Sequence, residues 1–267
     1  MIISSVFYLN SSTFALATAI FADVNLTVLA PDGFYSDGTG VVREQVLGTL
    51  GAITACEGCG TKTPVYGNIY NWYAVNDLRG IAPAGWHVPD WSELLAFNTY
   101  ISGYTDGAQR IKSSSSLYWS PSTGTDIYGF DFRGGGYRDN SGAFLGLKTS
   151  GFLWQSSSVD PTNAQTIYCV SYLPYTNTTS VLDKRYGLSV RLLKDDSVDT
   201  GTVIDYDGNV YPTITIGSQV WMASNLIVQH YNNGDVIPNV TVNSDWSPLT
   251  TGALCYYDND VNNAYII

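Results

Sequence analysis

The sequence predicts an α+β fold made of many short strands, long loops and one or two helices. Residues 66–89, YGNIYNWYAVNDLRGIAPAGWHVP, combine aromatic and turn-forming residues at a density found nowhere else in the chain. Directly after them Asp90 can cap a helix, because Glu93 stands three residues later as in a capping box. Further along, aromatic or β-branched runs alternate with Gly, Pro, Asn and Ser, which is typical of short strands joined by turns.

The composition is that of a folded, loop-rich β protein. Apolar residues make up 45% of the chain, enough for a sizeable core, while only 13% are charged, as in proteins of extracellular or virion surfaces. The 12 Lys and Arg against 23 Asp and Glu give a net charge of −11, which repels nucleic acid. No run approaches the roughly 18 apolar residues of a membrane span. We expect neither nucleic acid binding nor membrane insertion.

Turn signals and shifts in composition divide the chain into four parts. Residues 1–60 form an extended, β-rich docking module with too little apolar surface for a self-sufficient globule. Residues 61–195 form the main domain, and residues 196–202, DSVDTGT, form a polar linker. Residues 203–267 carry Asp-Gly and Asn-Gly hairpin signals. The N-terminus has no Lys or Arg before its apolar part, so we expect a mature segment rather than an export signal.

The cysteines do not suggest a cofactor site. Cys56 and Cys59 form a CEGC motif, whereas Cys169 and Cys255 stand alone. A zinc site needs four ligands, and the remaining Cys and His candidates are scattered singly. Cys56 and Cys59 are therefore expected to form a local disulfide or to stay free thiols, and we expect no cofactor.

Three further motifs could carry chemistry, and each has a structural explanation. DYDGN at residues 205–209 resembles the opening of a calcium loop but lacks the late glutamate, so a hairpin turn is predicted. RGGGYR at residues 133–138 is followed by no helix, so its glycines are expected to let a strand pass close under aromatic rings. His87 is expected to be a structural histidine. No nucleophile has a visible partner, and we do not expect an enzyme.

Five sequence blocks together resemble a known family. The blocks are GNVYPTITIGSQVWMASNL, YGNIYNWYAV, GWHVPDWSEL, GFDFRGGGYRDNSGAF and YGLSVRLLKD. They are similar to the successive signature blocks of the Fibrobacter succinogenes major paralogous domain, a family common in Bacteroidota and their phages. The resemblance covers about residues 65–195 and 203–267 and implies a C-type lectin-like fold.

The order of the blocks differs from that of the family. The GNVY block normally comes first, yet here it follows the end of the main domain. Residues 203–267 therefore either complete the domain as a permutation, in the same chain or in a neighbouring subunit, or begin a second domain copy. We favour completion, in which the strands of residues 203–226 cover the aromatic stretch. The predicted core residues are Trp72, Trp86, Gly135 and Trp221.

The resemblance also implies a ligand surface in the loop-rich half of the domain. Tyr and Asn side chains make adaptable contacts at low entropy cost. The alternative is that Trp154 and some of the tyrosines belong to the core. The predicted binding residues are Tyr137, Arg138, Asp139, Asn140, Trp154, Tyr172, Tyr175 and Asn177.

We expect a non-enzymatic, structural or adhesive protein at the virion surface, such as a fibre, decoration or tail-associated protein. Residues 1–60 would dock on other virion proteins or on copies of the chain in a homo-oligomer. The lectin-like domain would bind a receptor, either a glycan or a protein of the host surface. Two alternatives remain: a secreted or surface-anchored bacterial adhesin of the same family, and, less favoured, a lectin-fold enzyme.

Overall fold

The chain has a mixed α+β fold with many strands and few helices, as predicted. The computed structural model describes residues 8–10, 17–30, 33–35, 41–51, 54–55, 62–102 and 104–266. Contacts divide the chain into two compact units, one of residues 1–62 with residue 267 and one of Thr63–Ile266. Cys56 and Cys59 lie outside the described residues, so the expectation of a disulfide between them stays a prediction.

The N-terminal unit consists of short antiparallel strands around a small core. Its strands are β1 Tyr8–Leu9, β2 Ile20–Phe21, β3 Gly33–Tyr35, β4 Val41–Val46, β5 Thr49–Leu50 and β6 Thr54–Ala55. β1 pairs with β2, and β4 pairs with β3, β5 and β6. The buried Gln45 side chain accepts a hydrogen bond from Ile20 N at 2.6 Å and donates one to Ala30 O at 2.8 Å. The buried amide of Gln45 thus satisfies backbone hydrogen-bonding groups in a core that contains few apolar residues.

The second unit contains the remaining strands and all the helices of the described chain. Its strands are β7 Thr63–Pro64, β8 Ile69–Asn71, β9 Trp86–His87, β10 Gly135–Arg138, β11 Phe144–Leu147, β12 Ser150–Ser158, β13 Asn163–Val170, β14 Asn177–Asp183, β15 Gly187–Leu188, β16 Leu193–Lys194, β17 Thr202–Ile204, β18 Val210–Ile216, β19 Gln219–Met222, β20 Leu254–Cys255 and β21 Tyr265–Ile266. Its helices are α1 Trp72–Val75, α2 Trp91–Tyr100, α3 Gly107–Ile111, α4 Asn243–Trp246 and α5 Val261–Ala264, with a 3₁₀ turn at Tyr257–Asn259. No helix of the described residues is both long and apolar enough to cross a membrane.

Two sheets dominate the second unit. An eight-stranded sheet has the order β14-β13-β12-β10-β15-β8-β20, with β11 paired to β10. A five-stranded sheet has the order β17-β18-β19-β16-β9, and β21 pairs with β7. Neighbouring strands are antiparallel except β10 and β12, which meet in parallel at Gly136 and Gly151.

Strands from the last quarter of the chain pair with strands of the main domain. In β19, Trp221 pairs with Leu193 of β16, and in β20, Leu254 pairs with Tyr70 of β8. β21 pairs with β7, which joins the two ends of the unit. Residues 203–266 thus belong to the same compact unit of the same chain as residues 63–202.

Helix α2 begins with the capping box expected from the sequence. The Asp90 side chain accepts from Glu93 N at 2.9 Å, and the Glu93 side chain accepts from Asp90 N at 2.8 Å. The buried residues of the helix are Leu94, Phe97 and Asn98, whereas Trp91, expected on the apolar face, is 40% exposed. The contact of Phe97 with the Trp221 ring, at 4.8 Å between centroids, fixes which face of the helix is buried.

The four predicted core residues are buried, but the tryptophans do not form one cluster. Trp72 and Trp86 share a cluster with Met222 and Leu226, whereas Trp221 lies in another cluster with Phe97. Met222 and Leu226 thus cover the aromatic stretch, as expected for residues 203–226, whereas Trp221 packs elsewhere. Consecutive residues of a strand point to opposite faces, so Trp221 and Met222 of β19 enter different clusters.

The glycine run before and within β10 allows close passage under aromatic rings, as predicted. A Cβ on Gly134 would lie 3.0 Å from the Trp119 ring. A Cβ on Gly136, whose φ is +65°, would lie 2.6 Å from the Tyr257 ring. Any side chain at these positions would push the rings away from the strand.

We predict that Trp221→Ala lowers the free energy of unfolding by about 3–5 kcal/mol, because it empties a fully buried ring site between aromatic neighbours. Urea unfolding of the whole chain measures this change. Tyr206→Ala is the control, because Tyr206 is 52% exposed and should shift stability by no more than about 0.5 kcal/mol. Equal, small losses for both variants would contradict the core assignment.

Candidate functional site

Arg138 and Trp154, two of the predicted binding residues, are fully buried. The Arg138 guanidinium donates to backbone carbonyls, among them Val240 O at 2.6 Å from Nη1. The Trp154 Nε1 donates to Tyr70 O at 2.9 Å. Because their donors are satisfied inside the unit, these side chains belong to its core and not to a binding surface.

Tyr137, Asp139 and Asn140 are half-buried. Tyr137 lies in β10, and Asp139 and Asn140 belong to the turn between β10 and β11. The Asp139 carboxylate accepts from Ser141 Oγ at 2.7 Å and from two backbone amides. Burial by itself would raise the pKa of Asp139, but these hydrogen bonds outweigh it and lower the pKa. The Asn140 amide donates to Asp183 Oδ2 at 3.3 Å. These residues are engaged in local structure.

Tyr172 and Tyr175 lie in the loop between β13 and β14 and are 67% and 43% exposed. Asn177 begins β14, and its side chain lies outside the described residues. The turn at Asn140 contacts Asp183, which lies at the opposite end of the β13–β14 hairpin from Tyr172 and Tyr175. At about 3.3 Å per residue of β13, the two ends of the hairpin are roughly 20 Å apart. The predicted residues therefore do not form one face.

Two further exposed tyrosines lie at the same end of the unit as Tyr172 and Tyr175. Tyr100 ends α2 and is 56% exposed, and Tyr104 precedes α3 and is 61% exposed. We call Tyr100, Tyr104, Tyr172 and Tyr175 the tyrosine surface. The sequence did not lead us to predict Tyr100 and Tyr104 as binding residues. Helical spacing could have indicated that Tyr100 is exposed, because it falls outside the buried series Leu94, Phe97 and Asn98 of its helix.

Hydrogen bonds hold the three segments of the tyrosine surface together. Ala108 N at the start of α3 donates to Pro174 O at 2.8 Å. The Thr176 hydroxyl donates to the Asn98 side chain on the buried face of α2. The loop between β13 and β14 is thus fixed to α2, which ends with Tyr100, and to the start of α3, which follows Tyr104.

The surface offers aromatic rings with little net charge. Asp106, the acidic residue beside it, pairs with Arg110 at 2.9 Å one helical turn later. The hydrogen bond from Arg110, with its charge, lowers the pKa of Asp106 and keeps the carboxylate ionised. Tyrosine rings stack on apolar faces of a ligand, and their hydroxyls donate and accept hydrogen bonds. The arrangement suits binding of sugar rings or of protein.

A separate concave region lies beside His87. It is a cavity of about 440 Å³ whose apolar lining includes Ile81 and Trp86. His87 Nδ1 lies 2.6 Å from Asp195, and Nε2 lies 2.9 Å from both Glu93 oxygens. With a carboxylate on each ring nitrogen, the imidazolium form is favoured. A general base needs a free nitrogen, so this is the arrangement of a structural histidine.

The buried thiols do not supply a reactive group at neutral pH. Cys169 and Cys255 are free and fully buried, and burial raises the pKa of each to about 12. Among the described residues, no three His, Cys, Asp or Glu side chains gather as a metal site requires. Asp205 instead closes the predicted hairpin turn, accepting from Asp207 N at 2.9 Å and Asn209 N at 3.0 Å.

The comparison with known families gives one match. A model of the family described as Fibrobacter succinogenes major domain matches residues 35–194, more than half of the chain. The match begins inside the N-terminal unit and ends with β16. It leaves out residues 203–266, which the sequence blocks had included and which pair with the matched part. No curated protein matches the chain, and no solved structure does.

We predict a pH dependence of stability that arises from His87. Burial lowers its pKa, but hydrogen bonds and charges of Asp195 and Glu93 outweigh burial, so the folded pKa is raised above 6.5. The extra stability is therefore complete below pH 6.5 and is lost as the pH rises through the folded pKa. Because the ion pairs are partly exposed, the loss should stay below about 1 kcal/mol.

Urea unfolding of the chain and of His87→Gln from about pH 6.5 to about pH 9 measures this contribution. The parent chain should lose stability across the range more steeply than His87→Gln. Equal slopes for the two proteins would show that the His87 ion pairs do not contribute.

Proposed function

The chain belongs to the Fibrobacter succinogenes major domain family, and on this premise we propose that it is a non-enzymatic binding protein of a phage particle. It is a fibre, decoration or tail-associated protein whose tyrosine surface contacts the host cell. The second unit, in this proposal, is a permuted C-type lectin-like domain. The pairing of β19 with β16, the strand that ends the family match, supports the permutation.

The observation that carries the proposal is the tyrosine surface itself. Four tyrosines between 43% and 67% exposed stand on segments joined by hydrogen bonds to one another. Large exposed aromatic groups on a fixed frame are typical of binding sites, because little side-chain entropy is lost on contact.

The described titratable groups favour binding over catalysis. Both ring nitrogens of His87 are engaged by carboxylates. The thiols of Cys169 and Cys255 are buried with a pKa of about 12. Such groups stabilise the unit and are poorly suited to take a proton from, or attack, a substrate.

The N-terminal unit is proposed to attach the chain to a structural protein of the particle. It exposes aliphatic side chains, with Val24 at 67%, Val28 at 55% and Leu47 at 88%. Leu29 packs over Gly48, where a Cβ would lie 2.5 Å from a Leu29 methyl group. The loop after β2 therefore lies beside the turn between β4 and β5, and together they present apolar surface for a partner.

We predict that the double substitution Tyr172→Ala and Tyr175→Ala reduces adsorption of particles to host cells by at least about tenfold, which corresponds to roughly 1.4 kcal/mol. Incorporation of the protein into particles should stay unchanged. Tyr206→Ala removes a tyrosine 52% exposed but away from the surface and is the matched control. Unchanged adsorption by the double variant would refute a binding role for this surface.

We predict that Val28→Asp with Leu47→Asp prevents incorporation of the chain into particles, because two charges would be desolvated at the apolar contact. Quantitative detection of the protein in purified particles measures this. Val236→Asp, at a position 62% exposed in the second unit, should incorporate normally. Normal incorporation of the double variant, or a chain found on bacterial surfaces without particles, would contradict the docking role.

A further inference from the structure

Two lysines lie inside the second unit, at opposite ends of the β12–β13–β14 sheet region. Lys112 follows α3 and is fully buried, and Lys184 follows β14 and is 5% exposed. Lysine is rarely buried, because removing an ammonium from water is costly unless its donors are satisfied. Their surroundings therefore need a physical explanation.

The Lys112 ammonium lies in a cradle of neutral oxygens. Its Nζ donates to Thr123 Oγ1 at 2.7 Å and to the carbonyls of Val170, Ser171 and Leu173 at 3.1, 2.9 and 3.1 Å. The Thr123 hydroxyl also donates to Ser171 O at 2.7 Å. All three carbonyls belong to the end of β13 and the loop that follows, so one ammonium gathers the backbone of that loop.

The Lys184 ammonium makes the equivalent arrangement at the other end of the sheet. Its Nζ donates to Ser158 Oγ at 2.8 Å and to the carbonyls of Asp160 and Pro161 at 2.7 and 3.3 Å. These oxygens belong to the end of β12 and to the loop between β12 and β13. An ammonium surrounded by a hydroxyl and backbone carbonyls therefore occurs twice in this unit.

Aromatic rings complete both cradles. Lys112 Nζ lies 5.4 Å from the centroid of the Trp119 ring, and Lys184 Nζ lies 4.3 Å from that of Trp72. The face of an indole ring attracts a cation, and the attraction increases where water is excluded. Burial lowers the pKa of Lys112.

The segment that supplies Thr123 is closely packed onto Lys112. A Cβ on Gly124 would lie 2.3 Å from Lys112 O and 2.4 Å from Ser113 O. Gly124 thus holds the backbone of Lys112, while Thr123 and the three carbonyls hold its ammonium. The loop oxygens therefore meet a charge that is fixed in place.

We propose that Lys112 is a positioning residue whose ammonium orders the loop of residues 170–176 and thereby presents Tyr172 and Tyr175 at the tyrosine surface. The inference rests on the proposed function for the use of these tyrosines, but the order of the loop can be measured without any ligand. Without the ammonium, three carbonyls at the end of β13 and in the loop lose a charged donor at once. The loop then gains alternative conformations.

Amide hydrogen exchange of the full chain tests the proposal, with the amides of Ser171 and Leu173 as reporters. These amides donate to Thr149 O at 2.8 Å and Val170 O at 3.3 Å. Lys112→Ala should speed their exchange at least about tenfold and leave the loop between β12 and β13 unchanged. Lys184→Ala is the matched control. It should speed exchange in the loop between β12 and β13 and leave exchange at Ser171 and Leu173 unchanged.

Chemical rescue separates the charge from the packing. The group that Lys112→Ala removes corresponds to n-propylammonium, so adding this cation should restore slow exchange at Ser171 and Leu173. The neutral analogue 1-propanol should not restore it, and Lys112→Met, which fills the space without charge, should exchange as fast as the alanine variant.

Unchanged exchange in Lys112→Ala, or rescue by 1-propanol as effective as by the cation, would overturn the proposal. If Lys112→Ala fails to fold, folding restored by n-propylammonium supports it, and failure to restore folding contradicts it. If Lys112→Ala speeds exchange in the loop but the tyrosine variants leave adsorption unchanged, the positioning role of Lys112 stands and only the proposed function is refuted.

Discussion

The pairing of β19 with β16 is the contact on which the second unit depends. Trp221 pairs with Leu193, and through β19 the strands β17 and β18 join the strand that ends the family match. The Trp221 side chain then packs on Phe97, and the Gln219 amide donates to Glu93 O at 2.9 Å. Residues late in the chain thus fix α2, a helix formed much earlier in the sequence. Because Tyr100 ends α2 and Asn98 holds Thr176, the tyrosine surface also depends on this pairing.

Buried cations play a second, distributed role. The chain has only 12 Lys and Arg, yet Lys112, Lys184, Arg138 and Arg191 are buried and donate to backbone carbonyls of loops. Long loops leave carbonyls that no strand partner satisfies, and an ammonium or guanidinium can satisfy several at once. The charge is costly to bury, as the pKa of Arg191 shows, which burial lowers to about 9. A fold rich in loops accepts this cost because the alternative is several unpaired carbonyls.

Local features were predictable from the sequence, and features set by distant contacts were not. The capping box of α2, the hairpin turn at Asp205 and the close passage of the glycine run each follow from a few neighbouring residues. Arg138 was predicted for the binding surface and Trp154 for either that surface or the core. Strand alternation and distant carbonyls place both side chains in the core. The four exposed tyrosines come from three segments, so only the packed helices bring them to one end. The aromatic context of Trp72 and Trp86 was enough to predict that they are buried. The position of Trp221 in a separate cluster depends on the register of β19, which the sequence does not show.

Photo-crosslinking to the host surface tests the central claim most directly. A benzophenone side chain placed at Tyr172 or Tyr104 in assembled particles would react with whatever lies within reach of the tyrosine surface. The account predicts that both positions crosslink to a host surface component, while the same group at Tyr206, 52% exposed, does not. Crosslinks from Tyr206 alone, with none from Tyr172 or Tyr104, would contradict the assignment of the tyrosine surface as the binding face.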